Sequence, residues 1–173
     1  MNNWYMLTLT GEDRPGIVAR VTRALFERDM NLGEASMLRL GGNFTIMMMV
    51  SGDMDADALQ QALSEVVEEL GLSLHIDPMK GGLHRHVPPN LMVRVSGADR
   101  AGIVARVTGV LADAGFNILD LESDVAGTAE KPVYIMQIAG VATVPLESLE
   151  QAVSGLREEG IEVNISPVEM LVG

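Results

Sequence analysis

The sequence predicts an α+β protein made of two copies of one small module. The main observation is an internal repeat, because residues 11–22 (GEDRPGIVARVT) return as residues 97–108 (GADRAGIVARVT) with ten of twelve positions identical. Asn31 matches Asn117 at the same spacing. Two copies with so long a period indicate tandem domains, because solenoids and propellers need shorter repeats in larger numbers.

The length of the chain agrees with this division. At 173 residues it is long enough for two small domains that each bury one core. The stretch 81–89 has no hydrophobic period and carries glycines at one end and prolines at the other. We therefore predict domain 1 at residues 1–80, a linker at 81–89 and domain 2 at residues 90–173.

Each module begins with a strand and a helix. Tyr5, Leu7 and Leu9 alternate with less apolar residues, which is the period of a strand, and the glycine-rich stretch 11–16 interrupts it. Pro15 suits the first position of the following helix. The apolar face of that helix is predicted to contain Ile17, Val18, Val21 and Leu25.

Two strands, a helix and a last strand complete the module. Stretches 32–40 and 44–50 flank Gly41-Gly42-Asn43, which predicts a hairpin. A helical stripe follows, with acidic residues before it that suit an N-cap and Gly71 at its end. The stripe consists of Leu59, Ala62, Leu63, Val66, Val67 and Leu70. With a last strand at 72–76, the order βαββαβ predicts a ferredoxin-like fold, a four-stranded antiparallel sheet with two helices on one face.

A second apolar face is predicted on the first sheet. Residues that point away from the helices, if the strand register is right, are Trp4, Met6, Met47 and Met49. A contiguous apolar patch on an open sheet face is typical of an interface, and methionine adapts readily to such contacts. A register slipped by one residue is the alternative interpretation.

Charge and composition exclude several classes of protein. Twelve basic and twenty-four acidic side chains give a net charge of −12, which disfavours direct nucleic-acid binding because that depends on neutralising phosphates. No apolar run approaches a membrane span, and the N-terminus lacks the features of a secretion signal. The chain has no cysteine, which fits a reducing compartment, so we expect a cytoplasmic location.

The loop between the first strand and helix carries the strongest functional signal. A helix N-terminus offers unpaired N–H groups and partial positive charge to a small anion such as a carboxylate. Asp13 could meet an ammonium group or cap the helix. Asn31, at the far end of that helix where the next strand begins, offers both donors and acceptors. These groups together suit an α-amino acid. The alternative is that Asp13, Pro15 and Gly16 serve only the turn.

The Asp-Arg-Pro-Gly-Ile-Val loop and the following Asn-Leu resemble the ACT domain, a regulatory module of amino-acid metabolism. Two such modules over essentially the whole chain resemble the glycine cleavage system transcriptional repressor family. The resemblance implies a regulator of glycine cleavage or amino-acid metabolism that binds a small amino acid, glycine or serine above all. It also implies action through a LysR-type activator rather than on DNA. The implied ligand-binding residues are Asp13, Arg14, Pro15, Gly16, Ile17 and Asn31 in the first copy, and Asp99, Arg100, Gly102, Ile103 and Asn117 in the second.

The second copy departs from the pattern, because Ala101 stands in the position of Pro15. The second strand of each copy is predicted to lie at a sheet edge, where it could extend the sheet into a neighbour, so we expect a homodimer.

Other functions fit the sequence less well than a regulator does. Gly16-Ile17-Val18-Ala19-Arg20 is similar to the phosphate cradle of acylphosphatases, but Asp13 beside that site would repel phosphate. No residue set follows the logic of covalent catalysis, so we expect no catalytic residue and no cofactor. His84 and His86 make a poor metal site. The remaining alternative is a protein-interaction module with vestigial ligand sites.

Overall fold

The computed structural model describes residues 3–79, 87–98 and 101–168. The chain divides into two compact units, Met1–Arg85 and His86–Gly173. Most of the predicted linker, 81–86, lies outside the described residues, and 87–89 form neither helix nor strand.

Domain 1 has the predicted order βαββαβ. Its elements are β1 (Asn3–Glu12), α1 (Ile17–Phe26), β2 (Asn31–Leu40), β3 (Asn43–Gly52), α2 (Ala56–Leu70) and β4 (Ser73–Met79). All strand pairs are antiparallel, and the strand order across the sheet is β2-β3-β1-β4.

Domain 2 repeats this topology. Its elements are β5 (Leu91–Ala98), α3 (Ile103–Asp113), β6 (Phe116–Thr128), β7 (Lys131–Ala142), α4 (Leu146–Glu158) and β8 (Ile161–Pro167). The strand order is β6-β7-β5-β8. The prediction of two ferredoxin-like domains in tandem is confirmed.

The core of each domain lies between the sheet and its helices. In domain 1, β1 contributes Leu7 and Leu9, which are fully buried, and α2 contributes Leu59 and Leu63. Domain 2 is filled in the same way by a separate cluster that includes Val107, Leu111, Ile138 and Leu149. Each domain therefore has its own apolar core, as independent modules require.

The first helix differs from its prediction at two points. Pro15 lies in the turn, and the helix begins only after Gly16, so the prediction of proline at the first helical position is wrong. The reason is the left-handed conformation of Gly16, which separates Pro15 from the helix. Val18 is 39% exposed, and Ala24 joins the buried face in its place.

The remaining local signals are confirmed. Gly41 and Gly42, both with positive φ, form the two-residue turn between β2 and β3. Asp55 caps α2, because its side chain accepts a hydrogen bond from the Ala58 N–H at 2.8 Å. Gly71, with φ +64°, ends the same helix.

The strand register on the Met-rich face is the predicted one. Met48 is buried in the core, whereas Met47, on the opposite face, is 47% exposed. Met49 is only 3% exposed although it lies outside the core cluster. The slipped register is therefore excluded, and the role of this face as an interface stays a prediction.

Asn90 fastens the start of domain 2. Its side-chain amide donates to the Ala142 carbonyl at 2.8 Å and accepts from the Ala142 N–H at 3.1 Å. Its backbone N–H donates to Gly140, and its carbonyl accepts from Val168. One residue thus makes four hydrogen bonds immediately before β5.

None of the helices in the described ranges is long and apolar enough to cross a membrane.

Candidate functional site

The loop that leads into α1 exposes a helix N-terminus. Gly16 is the N-cap residue with φ +87° and ψ −1°, and no side chain of the described residues caps the helix. The first intrahelical hydrogen bond runs from the Arg20 N–H to the Gly16 carbonyl at 3.0 Å. The N–H groups of residues 17–19 therefore lack intrahelical acceptors.

The space beside the Gly16 Cα is open. A Cβ added to Gly16 would meet no atom within 4 Å, so it is the positive φ, and not crowding, that requires glycine here. Unpaired N–H groups and partial positive charge together suit a small anion.

Asp13 does not cap the helix. Its carboxylate forms an ion pair with Arg39 near the end of β2, and its N–H donates to the Gly42 carbonyl at 3.0 Å. These contacts fasten the loop to the β2–β3 hairpin. Asp13 therefore pairs with a cation of the protein itself, and its predicted contact with the ammonium group of a ligand stays a prediction.

The other loop residues of the first copy have different surroundings. Arg14 pairs with Glu12 at 2.7 Å, and both side chains are more than half exposed. Pro15 is exposed in the turn. Ile17 is 2% exposed and belongs to the core, so only its backbone can contact a ligand.

The second copy reproduces the backbone of the helix start. Gly102 has φ +89° and ψ −2°, no described side chain caps α3, and a Cβ added there would also meet open space. Ile103 is buried in its core like Ile17. The predicted residues Asp99 and Arg100 lie outside the described residues.

The two asparagines lie far from the loops of their own domains. Asn31 pairs with Ser51, which in turn pairs with Trp4 near the start of β1, whereas the loop follows Glu12 at the end of β1. Eight residues of strand span roughly 26 Å. Asn117 is placed likewise at the start of β6. One small amino acid therefore cannot contact both the loop and the asparagine of the same domain.

A groove on the outer side of α1 and α2 is a feature that the sequence did not reveal. Its volume is about 460 Å³, and none of the predicted site residues lines it. Its charged lining residues are Arg20, Arg23, Glu27, Arg28, Glu65 and Glu69. Arg20 pairs with Glu69 across the two helices, and Arg106 pairs with Glu159 in domain 2. Arg20 is thus engaged by a carboxylate, which weakens the likeness to an acylphosphatase cradle.

Comparison with known protein families assigns both domains to one family. Models of the ACT domain match residues 5–77 and residues 91–158, which together span most of the chain. The chain belongs to the ACT-domain family, with two such domains in tandem. The resemblance inferred from the loop motif is confirmed for both copies.

Two curated relatives illustrate the similarity. The glycine cleavage system transcriptional repressor of Escherichia coli (strain K12) is 29% identical over 122 residues, which cover 70% of this chain and 64% of that protein. The UPF0237 protein YjhC of Lactococcus lactis subsp. lactis (strain IL1403) is 40% identical over 72 residues, which cover 41% of this chain and 83% of that protein.

Two crystal structures match nearly the whole tandem ACT chain. An unknown protein from Galdieria sulphuraria has a TM-score of 0.78 at 26% identity, and the match covers 98% of this chain and 100% of that one. A putative glycine cleavage system transcriptional repressor has a TM-score of 0.72 at 19% identity, with coverage of 97% and 99%. The second likeness is one of fold alone.

Proposed function

We propose that this tandem ACT protein is a non-catalytic regulator that binds a small amino acid, with glycine and serine as the first candidates. The observation that carries the proposal is the pair of uncapped helix starts at Gly16 and Gly102, each open to solvent. The relationship to the glycine cleavage system transcriptional repressor supports regulation of glycine cleavage as the process. ACT domains typically bind small amino acids and dimerise.

The proposed ligand contacts are chiefly backbone groups. The N–H groups at the start of α1 and α3 donate hydrogen bonds to the carboxylate of the amino acid. Side chains near the loop contact its ammonium group and its side chain. Asn31 and Asn117 remain predicted binding residues, and their variants test whether they belong to the same site as the loops.

The proposed mechanism is thermodynamic linkage. An amino acid that binds one arrangement of the protein more tightly than another shifts the population toward that arrangement, typically by about 1–3 kcal/mol. The proposed output is a changed affinity for a protein partner, a LysR-type activator. The net charge of −12 favours a protein partner over direct contact with DNA. We also propose a cytoplasmic location and a homodimer.

The test is a thermal-shift panel of the twenty amino acids on the full chain. Binding to the folded state at about 100 times Kd adds roughly 2.7 kcal/mol, so glycine or serine should raise the Tm measurably. The matched variants are Asp13→Ala and Asp99→Ala for the loops, and Asn31→Ala and Asn117→Ala for the strand starts. A response that the loop variants abolish supports the proposal.

Two results would contradict the proposal that this protein is a regulator. No response to any amino acid in the wild-type chain would favour an interaction module with vestigial sites. Turnover of acetyl phosphate by the purified chain would favour a hydrolase. Pro15→Ala serves as a control for the difference between the loops, because it gives the first loop the alanine that the second has as Ala101.

A further inference from the structure

Three methionine side chains share a small area of the domain 1 sheet, on the face away from the helices. Met6 on β1 is the register partner of Met49 on β3, and Met47 lies two residues along β3 on the same face. Directly opposed residues have Cβ atoms about 4.5–5.5 Å apart, and residues two positions apart on one strand are separated by roughly 6.7 Å. The three thioether sulfurs can therefore converge on one point, because methionine has three rotatable side-chain bonds.

The charges around these sulfurs favour a cation. Arg39 is the only lysine or arginine in the four strands of domain 1, and its register partner is Phe44 of the core, so it belongs to the other face of the sheet. Asp77 on β4 is a register partner of Met6 and places a carboxylate beside the cluster. The whole chain has a net charge of −12. A cation at this face is therefore attracted, and it meets no lysine or arginine of these strands.

The cluster is partly shielded from water and adjoins an aromatic ring. Met49 is 3% exposed and Met47 is 47% exposed, so one thioether is sheltered while another is open to an incoming ion. Trp4 lies two residues before Met6 on β1 and therefore shares its face of the sheet. The face of an indole ring attracts cations. The surroundings thus add a second attraction for positive charge to that of the carboxylate.

A histidine on the same face lies farther away. His75, the one histidine within the described ranges, contacts the Asp77 carboxylate through its Nε2 at 3.1 Å. Thr8 has Met47 as its register partner on one side and His75 on the other, so the strand β1 separates the imidazole from the thioether. The donors that the register brings closest together are therefore sulfur atoms alone.

Domain 2 lacks this cluster although it repeats the fold. Met92 occupies the place of Met6, but its register partner on β7 is Ala139. The next residue on that face of β7 is Gln137, and its register partner on β5 is Arg94, a fixed positive charge. The fold itself therefore does not require methionine on this face, and the three thioethers are particular to domain 1.

The chemistry of the sulfur donors defines the kind of ion that fits. Soft thioether ligands select Cu(I), whereas oxygen ligands suit harder cations such as Mg²⁺ and Ca²⁺. We propose that Met6, Met47 and Met49 form a binding site for Cu(I) on domain 1. A thioether has no proton to lose, so the affinity should stay constant between pH 5 and pH 8, unlike that of thiolate or imidazole sites. The ligands are strand residues, so the site is independent of the amino-acid sites proposed at the helix starts.

The first test is a titration of the full chain with Ag(I), a soft ion of the same charge that needs no reductant, in chloride-free buffer. Trp4 is the only tryptophan, and a heavy ion bound beside it should quench its fluorescence with saturation at one ion per chain. Met47→Leu and Met49→Leu should each weaken binding at least tenfold, because leucine keeps the volume and removes the sulfur. Met37→Leu, at an exposed methionine on the other face, and Met92→Leu should leave the affinity unchanged.

The second test is an anaerobic competition between the chain and a chromophoric Cu(I) chelator at pH 5 and pH 8. Equal affinity at the two pH values supports thioether ligands. An affinity that falls at pH 5 and is lost in His75→Ala, or in a chain with both His84→Asn and His86→Asn, would assign the ion to imidazole and overturn the site.

Two further results would also overturn it. One is the absence of any Trp4 response to Ag(I) in the wild-type chain. The other is an unchanged affinity in the double variant Met47→Leu, Met49→Leu, with far-UV circular dichroism showing that the variant is folded. The amino-acid sites are judged separately by the thermal-shift panel.

Discussion

The two ACT domains share the backbone of their loops and differ in what surrounds it. The helix starts at Gly16 and Gly102 agree within 2° in φ and 1° in ψ. Arg39 near the end of β2 holds Asp13, whereas β6 has no basic residue. The duplicated chain has thus kept a backbone conformation while side chains near the loop and along the edge strands have diverged. A ligand that binds the backbone N–H groups at a helix start therefore suits both domains. The side chains around the two loops differ, so the two domains can differ in ligand selectivity.

The largest expected difference concerns two glycines near strand ends, Gly52 in β3 and Gly140 in β7. A Cβ at Gly140 would collide with the Asn117 carbonyl and the Phe116 ring, whereas a Cβ at Gly52 would meet the flexible end of Met30. We expect Gly140→Ala to destabilise domain 2 by about 3 kcal/mol and Gly52→Ala to destabilise domain 1 by about 1 kcal/mol.

Urea unfolding measures both changes. Trp4, the only tryptophan, lies in domain 1 and reports on that domain by fluorescence, while circular dichroism reports on both domains. Equal losses for the two variants would mean that the packing around the two strands is alike, contrary to the difference described above.

Alanine substitutions at the two helix starts should lower the free energy of unfolding of their domains by similar amounts. Gly16→Ala and Gly102→Ala each force a Cβ into the left-handed region, which costs about 1–2 kcal/mol, although neither meets a steric obstacle. Asparagine at the same positions should cost less, because its side chain tolerates this conformation better. The same urea titrations measure the effect, and a large difference between the two alanine variants would show that the loops are not equivalent.

The cap of α2 has no counterpart in α4. Asp55→Ala should destabilise domain 1 by about 1 kcal/mol, because the Ala58 N–H loses its acceptor. The equivalent position at the start of α4 is Pro145, which gives no side-chain cap. Asp55→Asn is the control and should stay within a few tenths of a kcal/mol of the wild type. In urea unfolding followed by Trp4 fluorescence, the midpoint should fall for Asp55→Ala and stay near the wild-type value for Asp55→Asn.

The smallest effect should come from the ion pair at the loop. Arg39→Ala should cost about 0.5 kcal/mol, because the pair is partly exposed and screened by water. A double-mutant cycle with Asp13→Ala measures the coupling between the two side chains. If the coupling is zero, the loop is held by the Asp13 N–H bond to Gly42 and not by the ion pair.

Much of the fold could be predicted because its signals are local. The hairpin at Gly41-Gly42, the cap at Asp55 and the end of α2 at Gly71 each depend on a few neighbouring residues. The sequence pattern misplaces the start of α1 because the spacing of apolar residues does not specify φ, and the positive φ of Gly16 sets where the helix begins.

The site was harder to predict because it depends on sheet order. The Asp13–Arg39 pair joins residues 26 positions apart, the first in the loop after β1 and the second on β2, and β3 lies between these two strands in the sheet. No spacing in the sequence reveals such a pair. The sequence places Asn31 at the far end of α1, and its distance from the loop follows from that placement. A helix that returns antiparallel to β1 must deliver β2 to the opposite end of the sheet from the loop.

The four hydrogen bonds of Asn90 have a mechanical consequence. Tension that reaches domain 2 along the chain from its N-terminal side meets this residue before it meets the first strand. The load is then shared between the Ala142 and Gly140 backbone of β7 and the Val168 backbone just after β8, instead of peeling β5 from one end. Domain 2 is thus anchored against unravelling at the point where the chain enters it.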